Sequence, residues 1–266
     1  MNKLSLALCI AIIGMLIKTP LCGKELFSAG DVKDFVSNSG ISSNGEKILI
    51  LQGKFQSSAK IFSYDSQKKY KLSCSVRLVN GSKGKIWLGF IPFDADGKKI
   101  ACREINLISK SLTKLAGAAE KGSTELVLVD GSEWNNKTPY GYVAFNAKTD
   151  FSDLPNRSCI PMAKGSVVKE NEVWKVKLSK PLEQDYPAGT EVRQHVDSDT
   201  YIYCVRTNLT EENQPISAVI SGHAEFGLSY KKAWRGTARI QVLIGFTSPD
   251  TAAIMELSEL KLEELP

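Results

Sequence analysis

His195 and His223 are the only histidines in 266 residues, so acid–base chemistry that needs an imidazole must run through one of them. Asp153, Asp185 and Asp197 are available to orient such a ring. No serine sits in a G-x-S-x-G turn and no Cys–His signature is present, so a nucleophilic hydrolase lacks its motif. A glycosidase asks only for two carboxylates. The 29 acidic residues leave such a pair open, and the strand pattern described below argues against it. Arg193-Gln-His195 reads as a polar strand that faces solvent or a neighbouring unit.

Aromatic residues with polar neighbours offer a second chemistry, that of a ligand platform. Trp134 lies between Glu133 and Asn135-Asn136, where it is either exposed or plugs the base of a small barrel. Tyr140 and Tyr142, one residue apart, share a strand face and make a platform rimmed by Asn135 and Asn136, unless they are a packing pair. Trp87 stands mid-strand between Ile86 and Leu88, where a tryptophan is more often core than platform. Trp174 and Trp234 border Lys175 and Arg235, and covering a cationic stem is the ordinary role there.

Cys74, Cys102, Cys159 and Cys204 permit two disulfides in three pairings, but each sits in an apolar strand context where a free thiol packs as a small hydrophobe. No C-x-x-C pair exists to hold structural zinc. Asn80, Asn136, Asn156 and Asn208 head N-x-S/T sequons.

The elements that must position these residues are strands. The run KIWLGFIPFDADGKKI (85–100) puts Ile86, Leu88 and Phe90 on one face and Trp87, Gly89 and Ile91 on the other. Pro92 ends pairing, and Asp94-Ala-Asp-Gly97 turns the chain toward a further strand at Lys98. With residues 70–80 before it and an Asn80-Gly81 turn between, the run reads as an antiparallel meander. Further strands are expected over 46–51, 59–64, 123–129, 141–145, 173–178, 190–195, 201–207, 216–221, 224–228, 238–246 and 254–263. Their spacing and turn residues belong to a β-sandwich rather than to βαβ units. Only 107–120 has helical spacing, through Leu112, Leu115, Ala116 and Ala119. Residues 1–23 begin with a basic start and an apolar run over 4–17 too short to span a bilayer, and read as a secretory leader. A lipid anchor at Cys22 is the weaker alternative.

Hydrophobic residues at 42% and charged residues at 24% fit a globular chain, and a net charge of +5 without like-charged runs argues against a nucleic-acid surface. The chain divides into 24–117, a β-rich block over 118–198 with barrel-like corners, and 199–266.

The runs SNSGISSNGEKILILQGKF, YKLSCSVRLVNGSKGKIWLGFIPFDADGKKI, AWRGTARIQVLIGF and IMELSELKLEEL resemble the CenC-type (family 4/9) carbohydrate-binding modules. The resemblance implies an all-β fold, a galactose-binding-like jelly-roll sandwich here interrupted by a small barrel or roll at 118–198. That block, with GSTELVLVDGSEW, AFNAKTDFSDLPN and PLEQDYPAGTEVRQH, resembles β-rich modules found within secreted bacterial sandwich proteins. The implied function is exported, non-catalytic binding of a polysaccharide or surface glycan, with rings stacking on pyranoses while amides and arginine bond hydroxyls. The candidate site residues are then Trp134, Tyr140, Tyr142, Asn135, Trp87 and Arg193. The resemblance also implies a structural calcium ion, for which Glu25, Asp31 and Glu256 offer oxygen ligands. An adhesive surface scaffold and a glycan-active hydrolase or lyase are the alternatives.

Overall fold

A computed structural model describes residues 23–45, 47–136 and 140–266. The expected leader at 1–23 and its Cys22 anchor lie outside them but for Gly23. The first strands are β1 (Lys24–Ala29), β2 (Ile41–Asn44), β3 (Lys47–Leu51), β4 (Lys54–Ser57), β5 (Phe62–Ser63), β6 (Lys69–Asn80) and β7 (Gly84–Phe93). The middle of the chain gives β8 (Thr113–Lys114), β9 (Glu125–Leu128), β10 (Gly141–Phe145), β11 (Cys159–Glu170), β12 (Val173–Leu178) and β13 (Glu191–Val196). The last are β14 (Ile202–Leu209), β15 (Gln214–Ser221), β16 (Arg239–Thr247) and β17 (Ile254–Leu265). The described residues hold no α-helix, only 3-10 turns at Val32–Asp34 and Cys102–Glu104, and no helix long and apolar enough to cross a membrane.

The strands form three antiparallel sheets. One runs β15-β6-β17-β3-β2 with β1 paired to β17; a second runs β14-β7-β16-β4 with β5 on β16. These two share one core. Tyr70, Leu72, Cys74, Val76 and Leu78 alternate inward from β6 to meet Ile86, Leu88 and Phe90 of β7 and Ile240, Val242, Ile244 and Phe246 of β16. Full burial of each large side chain contributes about 1.5–3 kcal/mol, so this core dominates the stability of the pair.

The expected meander is not formed. β6 pairs with β15 and β17, whereas β7 pairs with β14 and β16. Asn80-Gly81 is therefore a corner between sheets, since both strands carry apolar faces that are satisfied only by facing each other across the core. Gly81 holds φ +100 there, and a Cβ on it would meet that of Ala253 at 2.8 Å. The strand expected at Lys98 shrinks to one bridge, Phe93 to Lys99, and 224–228 is loop.

The third sheet, β8-β13-β10-β11-β12-β9, draws every strand from residues 113–196 and has its own core around Val143, Phe145, Val176, Leu178 and Val192. It is not a closed barrel. Its edges touch through a single bridge, Leu115 to Leu128, because β8 is only two residues long. The helix expected over 107–120 is absent. That segment runs extended along the sheet, where Leu115 and Ala119 are buried by bridges to Leu128 and Tyr186 rather than by a helical stripe.

Candidate ligand-binding site

The segment after β7 stitches the third sheet to the other two, and it gathers the titratable residues. Arg193 and His195 share one face of β13, toward Arg103 and the loop at 148–156. Arg193 donates to Asp153 at 2.6 Å, to the Lys148 carbonyl at 3.1 Å, and through Nε to His195 Nε2 at 3.1 Å. His195 Nδ1 lies 2.7 Å from the Arg103 carbonyl, which can only accept, so Nδ1 carries the proton and Nε2 is the acceptor. Cys159 Sγ stands 3.9 Å from that same Nδ1.

This looks like a dyad and is not organised as one. Both imidazole nitrogens are occupied, and burial pushes the ring down to about 4, so it stays neutral near pH 7. Burial also pushes the Cys159 thiol up to about 12, and its hydrogen bond runs to the Asn156 carbonyl at 3.2 Å. No base is placed to take the thiol proton, so the cluster is a satisfied buried network. Arg193, expected at a ligand, a solvent face or a contact with the neighbouring unit, is 1% exposed and belongs to this network, which meets the 102–108 segment through His195.

Beside the seam opens a cleft of about 580 Å³ lined by Lys99, Arg103, Glu104, Tyr140, Asp197 and Asp199 among others. Two of its carboxylates are engaged: Glu104 with Arg157, and Asp197 with Arg103 at 3.4 Å. Tyr140 is 64% exposed at its edge, but Tyr142 turns into the structure, with the Arg103 guanidinium 5.6 Å from its ring. The two tyrosines do not form one platform. Trp134 is 6% exposed, packs in the core of the third sheet and donates Nε1–H to the Ser111 carbonyl at 2.8 Å. A ring so enclosed offers no face to a ligand, and the Asn135 backbone beside it is held by Gln194. Trp234 is fully buried, and Trp174 lies under Lys169 rather than Lys175. Asn156 is buried, which closes that sequon in the folded chain.

Trp87 is the expected residue that finds company. It points from β7 to the outer face of the second sheet, where register sets Arg206 opposite Trp87, Trp87 opposite Gly245, and Gly245 opposite Phe55. The neighbouring rows are Tyr203, Gly89, Leu243 and Ser57 on one side and Asn208, Lys85 and Thr247 on the other. Aromatic rings form a continuous layer here. Trp87 and Tyr203 centroids are 5.0 Å apart, Tyr203 meets Tyr201 edge-on at 5.9 Å, and Tyr201 stacks with Phe55 at 6.3 Å. Leu243 lies beneath them, buried although its neighbours Val242 and Ile244 serve the inner core.

Glycine makes the layer possible. A Cβ on Gly245 would come within 2.2 Å of the Phe55 ring, so only a bare backbone lets that ring lie down across the sheet. Polar groups rim the layer: Lys99 stands 4.6 Å over Tyr201, Arg206 4.1 Å over Trp87, and Trp87 Nε1–H donates to Thr247 at 3.2 Å. Burial pushes the Tyr203 phenol up to about 12, so its hydroxyl remains a donor. Next to Trp87 a groove of about 380 Å³ is lined by Lys83, Lys85, Arg206, Asn208, Thr247 and Ser248.

Glu25, Asp31 and Glu256 do not fit a shared cation. Glu256 takes Arg77 and Lys47 at 2.8 and 3.0 Å, Glu25 stands 3.9 Å from Lys261, and Asp31 caps its own 3-10 turn. Glu25 pairs opposite Glu263 while Glu256 pairs opposite Leu49 and Arg77, seven residues away along β17. Among the described residues no three His, Cys, Asp or Glu side chains are grouped to hold a metal ion. No known protein family matches the sequence, and no curated protein matches it.

Proposed function

We propose that the chain is an exported, non-catalytic glycan-binding protein whose binding face is the aromatic layer on the outside of β14-β7-β16-β4. On this reading the first two sheets are a jelly-roll sandwich of CenC type, and the sheet from residues 113–196 is a smaller unit set into it. The observation that carries the reading is the contiguous aromatic layer of Phe55, Trp87, Tyr201 and Tyr203 on the outer face of the sheet, rimmed by Lys99, Arg206, Asn208 and Thr247. Flat apolar rings match the C–H faces of pyranoses, and the rim matches their hydroxyls. The split of the sandwich strands to either side of 113–196 supports the inserted unit.

A glycan array and affinity electrophoresis of the full chain test this. Saturable binding is expected to weaken about tenfold for each of Trp87→Ala and Tyr203→Ala, the scale of one lost stacking ring. Tyr140→Ala, in the cleft, leaves it unchanged. A folded chain that binds no glycan, or binds equally well without both rings, overturns the proposal and favours an adhesive scaffold.

A further inference from the structure

Arg206 is an exposed cation with an unusual posting. Its guanidinium carbon stands 4.1 Å over the Trp87 ring, and among the described residues its N–H groups meet no acceptor and no carboxylate. The contact with the ring face holds the cation in place without using its N–H donors, which stay free for a bidentate acceptor. Lys85 is two residues from Trp87 on the same strand face, within about 7 Å along the strand. Lys83 joins them, and the groove they line contains no acidic residue. None of these three cations makes an ion pair among the described residues, whereas Lys47, Arg77, Arg103 and Arg157 each do.

Resting on the glycan reading above, we infer that this face selects an anionic polysaccharide, one whose pyranose rings carry a carboxylate or a sulfate ester. A ring stacked on the aromatic layer places its substituents at the rim, where Arg206 supplies a planar donor pair and Lys85 and Lys83 supply point charges. The neutral donors Asn208 and Thr247 in the same rows serve the remaining hydroxyls. Wholly neutral glycans leave three cations facing one another unscreened.

The test compares matched polymers on the full chain: polygalacturonate against its methyl ester, and a sulfated galactan against the same chain desulfated. At least one charged member binds about tenfold more tightly than its neutral partner, and which pair does so separates carboxylate from sulfate. The preference shrinks as salt rises from about 0.05 to about 0.5 M, because exposed charges are screened. Lys83→Gln with Lys85→Gln, which leaves the Trp87 stack untouched, and Arg206→Gln separately, each reduce the preference while thermal melts show the fold intact. Equal binding of charged and neutral chains, unmoved by these substitutions but lost with Trp87→Ala, overturns the inference and leaves the glycan site standing. Absence of binding to every polymer overturns both. Tighter binding of oligothymidylate than of any polysaccharide also overturns both, since bases stack on such faces too.

Discussion

At the residue scale, the seam around His195 shows why chemistry must be read from partners rather than from residue type. Histidine, cysteine and aspartate lie within one cluster, yet the Arg103 carbonyl and the Arg193 guanidinium claim both imidazole nitrogens. The same facts set a pH dependence. The folded ring titrates near 4 and an unconstrained one near 6.5, so the unfolded chain binds the proton first and stability falls as pH drops through that window. The loss is on the order of 3 kcal/mol by pH 4. Urea unfolding across pH 4 to 7 checks it: His195→Gln is expected to be less stable at pH 7 and to show a shallower slope below 6.5. Equal slopes would mean that the ring is protonated in the fold. Glu256 adds a slope in the same direction lower down, because the bonds from Arg77, with Lys47 beside them, hold its carboxyl below the ordinary range. Trp134 carries a plainer expectation. Trp134→Ala removes a buried ring and should cost about 3–5 kcal/mol in denaturant unfolding without touching glycan affinity.

Elements were legible where alternation was clean, and pairing was not. β10 and β12 fall where period-2 patterning puts them, and β6, β16 and β17 within a residue or two at most ends, because one face of each is largely apolar, in β17 across a bulge between Ser258 and Lys261. β11 left no such trace: Pro161, Lys164 and Gly165 interrupt it, and a bulge between Met162 and Val167 shifts its faces. The aromatic layer was hidden by the same device. YIYCVRTN alternates as though Tyr203 belonged with Val205, but the bulge between them passes the outward face to Arg206 and Asn208. Nor does local sequence say that Asn80-Gly81 joins two sheets instead of two paired strands, since partner choice is decided by the distant β14–β17. Gly245 offers a test at this scale. Gly245→Val forces the Phe55 ring off the sheet, with an expected cost of about 1–3 kcal/mol and weakened glycan binding. In a double-mutant cycle with Phe55→Ala, part of the stability returns while binding does not. Strict additivity in unfolding would show that ring and backbone are not in contact.

Across the whole molecule, two hydrophobic cores are joined through a mainly polar seam. The core between the first two sheets and the core of the third are separate clusters, and what links them is the 102–108 segment with Arg157 bridging Asp94 and Glu104, Arg103 reaching Asp197, and backbone bonds such as Ile108 to Gln194. Apolar burial is what makes unfolding cooperative, and a polar seam transmits it weakly. The two cores should therefore melt as distinguishable units in calorimetry. Trp134→Ala is expected to lower one transition, and Leu88→Ala, which opens a cavity beneath the aromatic face, the other, each leaving its counterpart near its original temperature. Added glycan should then raise only the transition that Leu88→Ala lowers, since a ligand stabilises the unit whose folded form holds it. One transition moved equally by both substitutions would mean that the seam couples the cores into a single cooperative body, and the third sheet would then be part of the scaffold that holds the binding face flat.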